Sequence, residues 1–122
     1  MLAVGVDILE ISRINQALAR WGQRFLGRIY TEQEIAFSRG RPPQLAARFA
    51  AKEAVMKALG TGIKGVGWRE IEIVRQRGRA PTVQLHGRAL ERARKVGIEK
   101  LVLSLSHSRD YAVAFVVGEG PD

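Results

Sequence analysis

Cysteine is absent from the 122 residues, which excludes a disulfide framework, a thiolate nucleophile and a thiolate metal site. Aromatic residues are scarce at 7%, and none alternates with basic residues as on single-strand-binding surfaces. Trp21 and Trp68 therefore read as core or interface anchors. No apolar run approaches the length of a membrane span, and the first residues meet Asp7 and Glu10 with no basic leader, so a cytoplasmic chain is expected. Acid is the minority charge: 12 acidic against 20 basic side chains leave a formal +8, which points to an anionic partner without naming it.

What is present is the composition of an ordinary globular protein, 46% apolar and 26% charged, with no repeat and no linker long enough to separate domains. One domain spanning 1–122 is expected. Its small size is one at which oligomerisation often helps.

Leu2 to Ile8 reads as a short buried strand, which puts Asp7 at a strand end. Glu10 to Leu26 has helical character broken at Gly22. Thr31 and Glu34 have the spacing of a capping box, so a short helix starts there and stops before Gly40. Pro42 and Pro43 open a long helix that ends at Gly60. Strands are expected at Ile71–Val74 and Thr82–Leu85, then a helix at Gly87–Val96 with Arg88, Arg92 and Lys95 facing one way. Leu101–Ser106 and Tyr111–Val117 flank Ser108-Arg109-Asp110 as a closing hairpin. This order favours α+β with an antiparallel sheet.

Gly60-Thr61-Gly62-Ile63-Lys64-Gly65 satisfies the letter of the dinucleotide fingerprint. It follows a helix instead of opening one, and that context rejects the reading. Asp7 and Glu53 are candidates for a hard-cation site, since magnesium takes one or two protein carboxylates and completes its shell with water and phosphate oxygens. Arg48, Lys52 and Lys57 would complement a phosphate bound through that metal. The competing reading of Glu53 and Lys57 is an i,i+4 helix pair, worth only ~0.2–0.5 kcal/mol. His107 cannot act with Ser106 or Ser108, because strand neighbours point to opposite faces; it is a phosphate-contacting histidine or a satisfied turn residue. Arg13, Arg20, Arg24 and Arg28 share a stripe if their helix is continuous, suited to an acidic partner helix or to phosphates, or else simply solvated.

Three blocks, Val4-Gly5-Val6-Asp7-Ile8 with Glu10 and Arg13, the helix Arg48 to Gly62, and Leu103 to Ser108 with Tyr111-Ala112, together resemble holo-acyl-carrier-protein synthase, the small 4'-phosphopantetheinyl transferase family. The resemblance spans nearly the whole chain in the right order. It implies transfer of the phosphopantetheine arm of coenzyme A to a serine of apo acyl carrier protein in fatty acid biosynthesis, with magnesium held by Asp7 and Glu53. It implies an α+β fold and a homotrimer with coenzyme A bound between subunits. It further implies catalytic roles for Glu53 and Lys57, coenzyme A contacts at Asp7, Arg48, Lys57, Gly60, Thr61, Gly62 and His107, and carrier docking through Arg13, Arg20 and Arg24.

Under this reading neither nucleic acid nor membrane is a partner, and the acidic carrier and nucleotide account for the +8. One departure is Ala80, which separates Arg79 from Pro81 where the family often joins a basic residue directly to proline. A basic nucleic-acid-binding domain is the rival reading, and it would need neither Asp7 nor Glu53. An inactive structural trimer is a third.

Overall fold

A computed structural model describes residues 1–122. The chain runs β1 (Leu2–Glu10), α1 (Ile11–Trp21), α2 (Gln23–Ile29), α3 (Glu32–Ser38), α4 (Pro42–Leu59), α5 (Gly62–Gly65), β2 (Ile71–Val74), β3 (Thr82–Leu85), α6 (Gly87–Val96), β4 (Lys100–His107) and β5 (Tyr111–Glu119). The expected α+β class with antiparallel sheets holds. One sheet has the order β1-β5-β4 and the other pairs β2 with β3, with all pairings antiparallel.

Local chemistry sets most element ends. Thr31 Oγ1 accepts from the Glu34 amide at 3.2 Å while Glu34 Oε1 accepts from the Thr31 amide at 2.9 Å, closing the capping box that starts α3. Pro42 and Pro43 occupy the first turn of α4, where their missing N–H groups cost nothing, and Gly60 ends that helix at φ 74°. Gly22, at φ 54°, divides the first helical region into α1 and α2. The arginine stripe is therefore not carried by one continuous helix.

Helix α4 is buried on nearly every face, and its alanines let it lie close across the three-stranded sheet. Gly5 makes the closest approach possible: a Cβ there would fall 1.9 Å from the Ala54 carbonyl oxygen. The inward face of the sheet adds Leu9, Leu103, Ala112, Ala114 and Val116 to the core. The outward face is a different surface, where Leu2, Val4, Val6, Ile8, Val102 and Phe115 are exposed. Strands covered on one side and apolar on both ask for a second layer.

The first strand is longer than its sequence signal. It pairs with β5 as far as Glu10, so Asp7 lies within the strand opposite Ala114 and not at its end. Pairing along β5 supplies the extra residues, and the Ile11 amide then donates to the Asp110 carbonyl at 2.8 Å, so the hairpin tip starts α1. No helix is long and apolar enough to cross a membrane.

Candidate active site

Glu53 and Lys57 are four residues apart on α4, about 40° apart around the helix axis. Their stripe meets β1, where the Lys57 ammonium donates to Asp7 Oδ1 at 3.1 Å and to the Val6 carbonyl at 2.9 Å. The only carboxylate that pairs with Lys57 is Asp7, across the helix–sheet interface, so the simple Glu53–Lys57 helix pair is not formed. Asp7 is well covered, with its side chain 14% exposed, and Lys57 is 55% exposed.

Glu53 is half-buried, and its carboxyl is raised above the ordinary range, first by desolvation and then by the negative charge of Asp7. Lys57 and Arg13 pull the other way without cancelling this. The two carboxylates therefore sense each other, and a cation between them would relieve both. No group of three or more His, Cys, Asp or Glu side chains gathers anywhere, which rules against a closed all-protein cage. Two carboxylates with room for other oxygen donors suit magnesium, which keeps much of its water.

Five residues separate Lys52 from Lys57, a rotation of about 140°, and this puts the two lysines on different faces. Lys52 is fully buried, donating to Glu34 Oε1 at 2.7 Å and to the Trp68 carbonyl at 3.0 Å. Glu34 Oε2 in turn accepts from the Ile73 amide at 3.0 Å. Lys52 is thus an anchor joining α4 to α3 and to the segment before β2, not a phosphate ligand as its position beside Glu53 suggested. Burial pulls its ammonium below the usual lysine range, opposed by Glu34.

Arg48 shares the Lys52 stripe and is also buried. Its guanidinium lies 4.6 Å from the Phe37 ring centroid, and Nη1 donates to the Gln44 carbonyl at 3.2 Å. Its Nε and Nη2 have no partner within the chain. Arg48 is therefore not an open surface contact in this protomer, though two of its donors remain free.

The glycine turn after α4 leaves the helix tightly. The Gly60 amide donates back to Met56 and Lys57, and Gly62 has φ 64°. The Thr61 hydroxyl is shielded from solvent without a partner. From α6, Arg92 Nε donates to the Leu59 carbonyl at 2.9 Å.

His107 is exposed and pairs with Ala112, which faces α4 from the same side of the sheet as Asp7. Strand β5 lies between them. The two side chains thus share a face without touching.

Arg13 joins Glu53, Phe25, Phe49, Ile63 and Trp68 in lining a groove of about 400 Å³. Arg24 and Arg28 line a neighbouring groove of about 640 Å³ with Trp21. Phe25, Phe49 and Trp68 belong to both. Arg20 instead stacks on Trp21, 4.8 Å from its ring centroid.

The structure thus brings together Asp7, Glu53, Lys57 and Arg13, and holds Arg48 apart. Sequence reasoning missed Glu34 as the partner of Lys52, Phe49 and Trp68 as groove walls, and Arg92 as a contact to the end of α4. The capping-box signal found Glu34 in another role, and the basic stripe of the sixth helix contained Arg92 without indicating its partner.

The family profile of the 4'-phosphopantetheinyl transferase superfamily matches residues 3–116. The chain belongs to this superfamily. A holo-acyl-carrier-protein synthase from Herpetosiphon aurantiacus is 53% identical over 127 residues, covering 98% of this chain and all of that protein. The holo-acyl-carrier-protein synthase of Helicobacter pylori, solved in complex with coenzyme A, superimposes with a TM-score of 0.86 at 33% identity, covering 95% of this chain and 99% of that one. The synthase from Neisseria meningitidis matches with a TM-score of 0.85 at 41% identity over 96% of this chain and 97% of its own. Within the phosphopantetheinyl transferases, the expected order of strand, long helix and terminal hairpin is the one observed.

Proposed function

We propose that this transferase moves the 4'-phosphopantetheine arm of coenzyme A onto a serine of apo acyl carrier protein, releasing adenosine 3',5'-bisphosphate, as a step of fatty acid biosynthesis. The observation that carries the assignment of its chemistry is the meeting of Asp7, Glu53 and Lys57 between β1 and α4.

The carrier serine oxygen forms a bond to the pantetheine-bearing phosphorus, and the bond from that phosphorus to the adenosine-side phosphate oxygen breaks. Glu53, on the face of α4 that meets Asp7, is the candidate to take the serine proton. Lys57 supplies positive charge where the leaving phosphate develops negative charge. Asp7 holds the Lys57 ammonium on the sheet side of the site. Magnesium fits the Asp7 and Glu53 carboxylates and, when bound, supplies charge neutralisation for the pyrophosphate. The exposed glycines Gly60 and Gly62, with Thr61 between them, suit close approach of a phosphate, and His107 extends the contacts proposed for coenzyme A. Arg48, buried in this protomer, is proposed to contribute through its unpartnered Nε and Nη2 donors.

The acidic carrier docks along α1 and α2, where Arg13 and Arg24 rim the apolar grooves and Arg20 stands exposed beside them. The single domain of residues 1–122 works as a cytoplasmic homotrimer with coenzyme A between subunits. The exposed apolar sheet face supports this assembly, since Val4, Val6, Ile8 and Phe115 need a partner layer.

Chromatographic detection of adenosine 3',5'-bisphosphate tests the reading. Release is expected with apo carrier and magnesium and is absent when the acceptor serine of the carrier is replaced by alanine. Equal release without carrier would make the protein a hydrolase and refute the transfer.

A further inference from the structure

Helix α6 carries a cation to which the proposed chemistry assigns no role. Arg92 is half-buried, and its Nε donates to the Leu59 carbonyl at 2.9 Å, one of the carbonyls left over at the end of α4. That bond fixes the plane of the guanidinium beside the glycine turn. A Cβ at Gly60 would stand 3.4 Å from Arg92 Nη2, so the absence of a side chain at residue 60 leaves the Nη edge against bare backbone. No carboxylate pairs with Arg92, and neither Nη nitrogen has a hydrogen-bond partner in the chain. Its neighbour on the stripe, Arg88, is different: its guanidinium is engaged by Glu70, 3.2 Å away.

A cation at a helix C-terminus is favourable by itself, and one hydrogen bond to a terminal carbonyl would serve that purpose. Arg92 satisfies that need with Nε alone. The Nη donors that remain form the edge of the guanidinium that pairs with phosphate oxygens. They lie at Gly60, three residues beyond Lys57.

We propose that Arg92 is a phosphate-binding residue of the coenzyme A site, donating from its Nη edge to a phosphate group that lies across the Gly60–Gly62 turn. This rests on the reading of the protein as a coenzyme A-dependent transferase. The phosphate is either the pyrophosphate or the 3'-phosphate of the same ligand, and both offer the same acceptor chemistry. Arg92 thereby couples ligand binding to the end of α4, the helix that carries Glu53 and Lys57.

The test is calorimetric titration of coenzyme A and of 3'-dephospho-coenzyme A into the wild type, Arg92→Met and Arg92→Lys, with magnesium and without carrier. Loss of charge-assisted hydrogen bonds to phosphate is expected to weaken coenzyme A binding by Arg92→Met about tenfold or more, with partial recovery in Arg92→Lys. A penalty seen with both ligands places the contact at the pyrophosphate, and one seen only with coenzyme A places it at the 3'-phosphate; either supports the proposal. Equal binding by wild type and Arg92→Met, with a lowered melting temperature, would make Arg92 a helix cap only and overturn it. No binding by the wild type would overturn it as well.

Transfer to carrier by the same preparations separates the two readings. Equal binding with active wild type sinks the role of Arg92 alone. Weakened binding by Arg92→Met with an inactive wild type sinks the transferase reading and leaves the phosphate contact standing.

Discussion

The Lys57 ammonium stands 3.1 Å from Asp7 Oδ1, joining the last turn of the long helix to the first strand. This pair brings a cation and a carboxylate, 50 residues apart in sequence, to one edge of the helix–sheet interface. Replacing Lys57 with alanine is expected to lower kcat by about 10²–10³, the usual effect of removing one charge-stabilising donor, while leaving the fold intact because Lys57 is exposed. Steady-state kinetics with apo carrier would check this, and a near-normal kcat would remove Lys57 from the mechanism.

Glu53 links pH, metal and stability. Its folded carboxyl is raised, by desolvation and then by Asp7, so the folded protein holds this proton more tightly than the unfolded chain. The sign follows: this group costs no stability below the unfolded pKa, and the cost grows as pH rises from there through the raised folded value. With EDTA present, Glu53→Gln should melt higher than the wild type at neutral pH, and the difference should vanish in acid. Magnesium should raise the melting temperature of the wild type and not of the variant. A wild type indifferent to magnesium would contradict the assigned metal site.

Lys52 and Glu34 form a buried pair whose value lies in the matching of both members. Lys52→Met alone leaves a buried carboxylate and is expected to cost about 3–5 kcal/mol. Adding Glu34→Leu should return only part of that stability: no unpaired charge is left, but the Thr31 and Ile73 amides lose their acceptor. Urea denaturation of the single and double variants measures the coupling. Additive losses would show that the pair is not the anchor described above.

Gly5 sets the distance between Asp7 and the long helix. Its replacement by alanine would drive a Cβ into the Ala54 carbonyl, which must push β1 away at a cost of about 3 kcal/mol or more, at the upper end of overpacking effects. Chemical denaturation should register this loss, together with a fall in transfer rate in the folded fraction.

The outward sheet face carries the trimer proposal. Phe115 lies at its centre, opposite Val6 on one side and Ser104 on the other. Phe115→Glu is expected to sediment as a folded monomer where the wild type sediments as a trimer. An unchanged mass would move the interface elsewhere.

Much of this fold was legible because its ends are marked by local chemistry. Thr31 and Glu34, Pro42 and Pro43, and Gly60 each act on neighbours in sequence. Residue type made Asp7 and Glu53 candidates for one cation site, but a pair so distant in sequence is a weak signal alone, and the resemblance gave it weight. The status of Lys52 was not legible, because its partner lies 18 residues away on another helix and residue type alone cannot separate it from Lys57. Nor was Asp7's place within the strand, since pairing with β5 extends β1 beyond its own apolar pattern. Gly22 was readable as an interruption, yet the division of the basic stripe between two grooves depends on the angle that α2 takes afterwards.

Intact-mass spectrometry of apo acyl carrier protein, incubated with this protein and coenzyme A in magnesium or in EDTA, tests the central claim most directly. The account predicts that the carrier gains the mass of one phosphopantetheine group with magnesium and remains apo with EDTA. A carrier that stays apo in both would contradict the transferase, and a carrier modified equally in both would contradict the metal site at Asp7 and Glu53.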